Sequence, residues 1–305
     1  MGFLITGALP AALLPAQPSP LFRSGISLVH LDTEVLDGHG RPITGLNKTE
    51  FRIFDEGQEQ SVAILSAGEQ PLDLILLIDT SRSMRVKVAE IAAASGAALG
   101  ELHPGDRVSV LVFNTNCRVV SPLTADLQST RQALDAVVQL PFRGGTAIRN
   151  AVSMAADQFA QLHDRKEQCR RAVLVITDNF GMPGRTETSV VESLSEADAI
   201  LSGLIVSNRL ANLSPFSLLG VRKLGGIEGI ADRTGGDLIY SDELSTSFPE
   251  AIRRLRSRYS LYYRLPITQQ GRERTVRVEL GPEAAQRFPG AQVRARKRYS
   301  ARAAN

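Results

Sequence analysis

The sequence has little of several residue types that mark specialised protein classes. It contains 2 cysteines and no tryptophan in 305 residues, and aromatic residues make up 5%. Two cysteines exclude a disulfide scaffold and a cysteine-rich zinc module. The few aromatic residues argue against a stacking platform for single-stranded nucleic acid. With 43% hydrophobic and 22% charged residues, the composition is that of a globular chain of about two domains.

Charge is unevenly distributed along the chain. Residues 251–305 contain 14 Lys or Arg and 3 Asp or Glu, whereas residues 1–250 carry a net charge of −8. One interpretation is that the basic end contacts an anionic surface such as a membrane. The other, which general charge patterning favours, is that these residues line solvated strand faces and neutralise the acidic body.

The first 22 residues carry no charged side chain. The apolar stretch Phe3–Leu14 has the length of a signal-peptide core, but the basic segment that normally precedes such a core is missing. Pro10 and Pro15 disfavour a membrane-spanning helix. We expect residues 1–22 to be an export segment and the protein to be periplasmic, at the cell surface or secreted. The alternative is an N-terminal arm.

Both ends of the chain have the alternation of strands. From residue 29 the side chains alternate between two faces. One face is formed by Val29, Leu31, Thr33 and Val35, and the other by the polar residues His30, Asp32 and Glu34. This alternation predicts a half-buried strand. A hairpin is predicted to turn near Glu56-Gly57, with its strands marked by Phe51, Ile53, Val62 and Ile64. Further strand patterns cover residues 259–265, 276–280 and 293–298.

The middle of the chain alternates strands with helices. Continuous apolar runs at residues 72–78 and 172–176 are typical of central parallel strands that are covered on both faces. We therefore predict an α/β fold, with a doubly wound, mostly parallel, Rossmann-like sheet inserted in a small antiparallel β domain formed by head and tail. The predicted division is an export segment at 1–22, the first part of the β domain at 23–70, the α/β domain at 71–257 and the second part of the β domain at 258–305.

Oxygen-bearing side chains follow the two apolar strands. Asp79, Ser81 and Ser83 come after the first strand, and Asp178 comes after the second. Thr146 follows a glycine-rich loop between them. In open α/β sheets the carboxyl ends of the strands form the binding edge, so these five side chains are expected to converge there. Because all five donate oxygen, they suit a hard cation such as Mg²⁺, with Mn²⁺ or Ca²⁺ as alternatives.

The spacing Asp-x-Ser-x-Ser after an apolar strand, with a later Thr and Asp, resembles the metal-ion-dependent adhesion site (MIDAS) of the von Willebrand factor type A (vWA) domain. The resemblance covers residues 71–257. It implies that Ser81, Ser83 and Thr146 bind the metal directly or through water, and that Asp79 and Asp178 mostly support them. The flanks, at residues 37–46 and 293–299, resemble those of vWA-related proteins of acidobacteria.

Other chemistry is less consistent with the residues. Asp79 and the serines could instead cap the following helix. A haloacid dehalogenase-type phosphatase needs a second Asp where Ser81 stands, and no Gly-x-Ser-x-Gly nucleophile elbow is present. Residues 225–229 mimic a dinucleotide fingerprint but are predicted to begin a helix.

Cys117 and Cys169 are expected at opposite edges of the sheet, as free thiols.

The resemblance implies a binding module rather than an enzyme. A MIDAS cation would engage an Asp or Glu carboxylate of a protein partner. The alternative is a non-catalytic assembly scaffold with a vestigial metal site, whose basic C-terminal end contacts an anionic surface. Two departures from the family pattern, Arg82 and Asn179 where glycine is common, remove no ligand. Arg82 and Arg143 place positive charge near the cation, which either favours an acidic partner or lowers metal affinity.

Overall fold

The computed structural model describes residues 26–68, 70–162, 169–206, 225–266 and 273–300. The strands in this part of the chain are β1 (Ile26–Leu36), β2 (Phe51–Asp55), β3 (Gln58–Gln60), β4 (Val62–Ala67), β5 (Leu72–Asp79), β6 (Arg107–Phe113), β7 (Cys117–Thr124), β8 (Arg170–Thr177), β9 (Ala199–Ile205), β10 (Leu238–Tyr240), β11 (Tyr259–Pro266), β12 (Glu273–Leu280), β13 (Gln292–Ala295) and β14 (Arg298–Ser300). The α-helices are α1 (Arg85–Leu99), α2 (Leu127–Val137), α3 (Ile148–Ala160), α4 (Glu187–Glu196), α5 (Glu228–Thr234), α6 (Leu244–Arg256) and α7 (Pro282–Arg287).

A six-stranded sheet forms the centre of the molecule, in the order β10-β9-β8-β5-β6-β7. Every neighbouring pair is parallel except β6 and β7. All residues of β5 and β8 are buried, because helices α1, α2 and α6 cover one face of the sheet and α3, α4 and α5 cover the other. Alternate side chains of β5 therefore enter different cores, which explains why its sequence is continuously apolar.

The two ends of the chain pair with each other. Strand β1 lies between β11 and β13, and β4 pairs with β11, which gives the sheet β13-β1-β11-β4. A second antiparallel sheet has the order β14-β12-β2-β3, and one shared hydrophobic core lies between the two sheets. The predicted fold class is confirmed: head and tail strands form small antiparallel sheets around an inserted α/β unit. The residue boundaries of the domains stay a prediction.

The predicted hairpin is wrong in its second strand. The turn does lie at Glu56-Gly57, where both residues have positive φ (50° and 78°), but β2 pairs with the polar strand β3. Strand β4, which contains Val62 and Ile64, instead pairs with β11 in the other sheet. Because a two-residue turn places Gln60 opposite Ile53, the polar residues directly after the turn complete the hairpin.

The polar face of β1 also differs from the prediction of a half-buried strand. The side chains of Asp32 and Glu34 are only 2% exposed. Arg258 forms ion pairs with both carboxylates, and Arg170 at the start of β8 lies 3.2 Å from Asp32 Oδ2. Arg170 also donates hydrogen bonds to backbone carbonyl oxygens at the end of α6 and in the connection to β11. The face predicted to meet solvent thus forms a buried ionic contact with the α/β unit.

Much of the basic C-terminal part pairs with acidic residues of the chain itself. Arg294 pairs with Asp237, and Arg296 pairs with Asp198. Lys297 lies 2.6 Å from Asp232. These contacts neutralise the positive charge against the acidic body, as charge patterning favoured. The expected export segment 1–22 lies outside the described residues, and none of the described helices is both long and apolar enough to cross a membrane.

Candidate metal centre

Strand register brings the two aspartates of the predicted site to the same edge. Strands β5 and β8 are adjacent and parallel, with Ile78 opposite Ile176. Asp79 ends β5, and Asp178 comes directly after β8. Because parallel neighbours end at the same edge, both carboxylates leave the sheet at one place. They are 0% and 7% exposed, respectively.

The carboxylate of Asp79 is held in a defined orientation. The Thr177 hydroxyl donates a hydrogen bond of 2.7 Å to Asp79 Oδ2, and the Ser81 backbone N–H donates one of 2.8 Å to Oδ1. Thr177 Oγ1 in turn accepts from the backbone N–H of Asn179 at 3.0 Å. These bonds tie the first ligand loop to the end of β8.

The two serines lie side by side. Their hydroxyl oxygens are 3.2 Å apart, with Ser81 buried and Ser83 exposed. A short 3₁₀ helix at Arg82–Met84 begins directly after Ser81, and its tight turn brings Ser83 back beside it. Ser81 makes no side-chain cap hydrogen bond to this helix. The serines therefore present two oxygens toward one region instead of serving as helix caps.

Thr146 lies on a loop that is fixed from two directions. The backbone N–H of Gly145 donates to Thr115 Oγ1 at 3.2 Å, in the turn after β6. The backbone N–H of Met182 donates to the Thr146 carbonyl at 2.8 Å, which joins this loop to the one that follows Asp178. Gly144 has a φ of 81°, a conformation that disfavours a side chain. The Thr146 side chain is 4% exposed.

The electrostatics of this edge favour a cation. Burial, and then the neighbouring Asp178 carboxylate, raise the pKa of Asp79 to about 7. Within the described residues, Asp79 has no ion-pair partner among Lys, Arg or His. In the same part of the chain, no group of three His, Cys, Asp or Glu side chains comes together to hold a metal. Metal binding here would thus depend on the hydroxyls and two carboxylates, and this oxygen-only donor set fits Mg²⁺, Mn²⁺ or Ca²⁺.

Several hydrogen bonds that support this edge are not predicted by the sequence. Asn179 donates to Glu228 Oε1 at 2.8 Å and accepts from the backbone N–H of Ile227 at 3.2 Å. Asn179 has a φ of 59°, so it occupies a conformation that glycine often takes. Glu228 is 49 residues away in sequence and carries no local signal. Thr177 does carry a local signal, because it is a polar residue at the end of an apolar strand.

Gly225, the first described residue after the segment 207–224, has a packing role. A Cβ on Gly225 would lie 2.4 Å from the carbonyl carbon of Gly181, so the two backbones touch. Helix α5 then starts at Glu228, which confirms that residues 225–229 begin a helix. This contact braces the loop that follows Asp178.

The fold and this edge define a vWA-type α/β domain. Residues 74–181, from β5 to the loop after β8, match the family model of the von Willebrand factor type A domain. The predicted resemblance to the vWA domain is confirmed for this part of the chain.

Several solved structures are similar to the chain. A von Willebrand factor type A structure from Catenulispora acidiphila is 13% identical, with a TM-score of 0.47, and the match covers 91% of this chain and 74% of that one. An aerotolerance-related membrane protein from Bacteroides fragilis is 19% identical, with a TM-score of 0.46 and coverages of 60% and 98%. Proximal thread matrix protein 1 from the mussel byssus, described with a zinc-occupied MIDAS motif, is 14% identical, with a TM-score of 0.46 and coverages of 67% and 49%. No curated protein matches the sequence.

Proposed function

We propose that the vWA domain binds a divalent cation at its carboxyl edge and, through it, an acidic group of a protein partner. The proposed metal-binding residues are Asp79, Ser81, Ser83, Thr146 and Asp178. The protein would act as a binding module, without a reaction of its own.

One observation carries this proposal. Asp79 is fully buried beside a second carboxylate, and its hydrogen-bond partners within the described residues are hydroxyl and amide donors. A buried carboxylate without a positive partner is unfavourable, since desolvation penalises its charged form. A cation bound at this edge would relieve this penalty. The site is therefore better explained as a metal centre than as a helix cap.

The residues differ in what they supply. Ser81 and Ser83 present neighbouring neutral oxygens, and Asp79 is oriented by Thr177 and the backbone of residue 81. Neutral hydroxyls as ligands leave a bound cation electrophilic, so that it would accept a carboxylate from outside the chain. Mg²⁺ and Mn²⁺ are the preferred candidates, because both take octahedral oxygen coordination and retain exchangeable waters.

The alternative of a charge-driven scaffold has less support. It depends on a basic C-terminal end that is free to contact an anionic surface. Arg258, Arg294 and Arg296 instead form ion pairs with acidic residues of the chain. We therefore favour the metal-dependent function. Export remains a prediction from residues 1–22.

Direct metal titration tests the proposal. Mn²⁺ is titrated into EDTA-treated protein and followed by calorimetry and by the electron paramagnetic resonance signal of free Mn²⁺. We expect one saturable site, and we expect Ser83→Ala to weaken it at least about tenfold through loss of a ligand oxygen.

Ser61→Ala is the matched control. Ser61 is also exposed, but it lies between β3 and β4 in the flanking sheets. The control should bind Mn²⁺ like the wild type. Equal affinity in the Ser83 and Ser61 variants, or unchanged affinity in Asp178→Asn, would contradict the proposed site.

A further inference from the structure

Each of the three ligand loops carries one exposed arginine. Arg82 lies between the two serines, and Arg143 precedes the glycines that lead to Thr146. Arg185 lies at the end of the loop that follows Asp178, where its backbone N–H donates to Asn150 at the start of α3. We call these three residues the arginine rim.

The arginine rim differs from the ion-paired arginines of the α/β domain. Arg107 lies 2.8 Å from Asp73, and Arg170 lies 3.2 Å from Asp32. Throughout the described residues, by contrast, no carboxylate lies within 4.0 Å of the rim guanidinium groups. Two more exposed arginines of this kind lie at the same edge: Arg85 is the first residue of α1, and Arg118 is the second residue of β7, opposite Val112 near the end of β6. Unpaired positive charge thus collects around the proposed metal site.

Neighbouring acidic residues are engaged elsewhere. Glu228 accepts a hydrogen bond from Asn179 at 2.8 Å. Glu187 lies 3.8 Å from both Arg149 and Arg233. Neither carboxylate is therefore placed to neutralise the arginine rim, and the rim guanidinium groups face solvent.

We propose that the partner of this site is a protein segment with several acidic side chains. One carboxylate would complete the metal site, and its neighbours would pair with Arg82, Arg143 and Arg185. This inference rests on the proposed function and specifies its partner class. Guanidinium groups bind carboxylates through paired hydrogen bonds, and one carboxylate cannot reach three loops and the metal at once. A ring of like charge also attracts an oppositely charged segment over distance.

Two labelled peptides of equal length test the inference. One contains six consecutive glutamates and the other a single glutamate among glycines and serines, and their binding is measured by fluorescence anisotropy in Mg²⁺. We expect the wild type to bind the six-glutamate peptide at least about tenfold more tightly, since three exposed pairs of ordinary strength supply this factor. A triple variant, Arg82→Gln with Arg143→Gln and Arg185→Gln, should lose most of that preference.

Arg131→Gln is the matched control. Arg131 is exposed on α2 and has no ion pair within the described residues, but it lies beside Gly96 in the second half of α1. This variant should keep the preference. A triple variant that keeps it would overturn the inference, and binding of the single-glutamate peptide that is lost in EDTA would then still support the proposed function.

Two further outcomes separate the proposals. Binding of the six-glutamate peptide that is equally strong in EDTA and in Ser83→Ala would refute the metal-dependent function. An oligonucleotide with six phosphates that binds in EDTA as tightly as the peptide binds in Mg²⁺ would overturn the acidic-protein partner and identify a general anion surface. A peptide preference that falls with rising salt in the wild type, while the small residual preference of the triple variant depends less on salt, would support the arginine rim.

Discussion

The Thr177 hydroxyl donates a hydrogen bond of 2.7 Å to Asp79 Oδ2, and it thereby joins the carboxyl ends of two neighbouring parallel strands. Both side chains are buried. Asp79 is proposed to support the metal ligands more than to contact the cation. Thr177 therefore orients a supporting residue of the site and is not itself a proposed metal ligand.

Replacement of Thr177 should weaken metal binding without removing a ligand. Thr177→Val keeps the shape of the side chain but cannot donate to Asp79. Loss of a residue that orients a ligand typically lowers metal affinity about 10- to 100-fold. We expect this decrease in Mn²⁺ affinity, measured by calorimetry. Thr177→Ser keeps the hydroxyl and should therefore retain most of the wild-type Mn²⁺ affinity. Equal affinities for the valine and serine variants would show that the hydrogen bond has no such role.

The buried ionic contact between β1 and the α/β unit should be important for stability. Burial raises the pKa of Asp32, but the guanidinium groups of Arg258 and Arg170 outweigh it and hold the pKa below its usual value. Asp32→Asn leaves Arg170 without its ion-pair partner and Arg258 with Glu34 alone, and breaking a buried ion pair typically costs about 3–5 kcal/mol. Urea denaturation should show this decrease in the free energy of unfolding. Glu59→Gln, in the exposed pair with Arg52, should leave stability unchanged within error.

The same contact predicts a pH dependence with a defined sign. Because the pKa of Asp32 is lower in the folded state, its ion pairs stabilise fully above the unfolded value and are lost as pH falls below it. The stability of the wild type should therefore fall more steeply than that of Asp32→Asn between about pH 5 and pH 3. Parallel profiles for the two proteins would contradict this assignment.

The close approach of Gly181 and Gly225 should not tolerate a side chain. A Cβ on Gly181 would lie 2.2 Å from the Gly225 carbonyl oxygen, so that one backbone must move. Gly181→Ala should lower the free energy of unfolding by about 1–3 kcal/mol, as overpacking does. It should also weaken Mn²⁺ binding, because the displaced loop follows Asp178. Gly38→Ala is the control, since nothing lies within 4 Å of a Cβ there.

Both cysteines are free, as predicted, and should react slowly. Burial raises the pKa of the Cys117 thiol to about 12, and burial together with a hydrogen bond to Asp73 does the same for Cys169. At pH 8 the thiolate fraction of such groups is about one in ten thousand. Reaction with an aromatic disulfide reagent should be at least about 100-fold slower in the native protein than in guanidinium chloride. Rapid stoichiometric reaction of the native protein would contradict this burial.

The fold could be predicted from the sequence because its periodicities are strong. The apolar runs of β5 and β8 and the alternation in β1 each identify their element. The face of β1 could not be assigned, because Asp32 is buried against Arg170 and Arg258, both of which lie more than 100 residues further along the chain. The pattern at 293–298 was predicted as one strand, but the structure divides it into β13 and β14, with Arg296 buried between them and paired with Asp198. Helix α7 was missed since its six residues carry too little periodicity.

The candidate site could be predicted from the sequence for a different reason. Its proposed ligands lie directly after strands, and strand order in an α/β sheet determines which loops meet. The Asn179–Glu228 hydrogen bond could not be predicted, because it joins the loop after β8 to the start of α5, 49 residues further along the chain. Two of the three residues of the arginine rim, Arg82 and Arg143, can be placed near the site from the sequence, whereas Arg185 can be placed there only once its loop is seen beside α3.

Coupling between metal and carboxylate tests the central claim most directly. The Kd of Mn²⁺ is measured by calorimetry with and without a saturating single-glutamate peptide, and the Kd of the peptide is measured with and without Mn²⁺. If the carboxylate completes the metal site, each ligand must tighten the other by the same factor. We predict a shared factor of at least about five, which Ser83→Ala reduces and Ser61→Ala keeps. Independent binding of metal and peptide would contradict it.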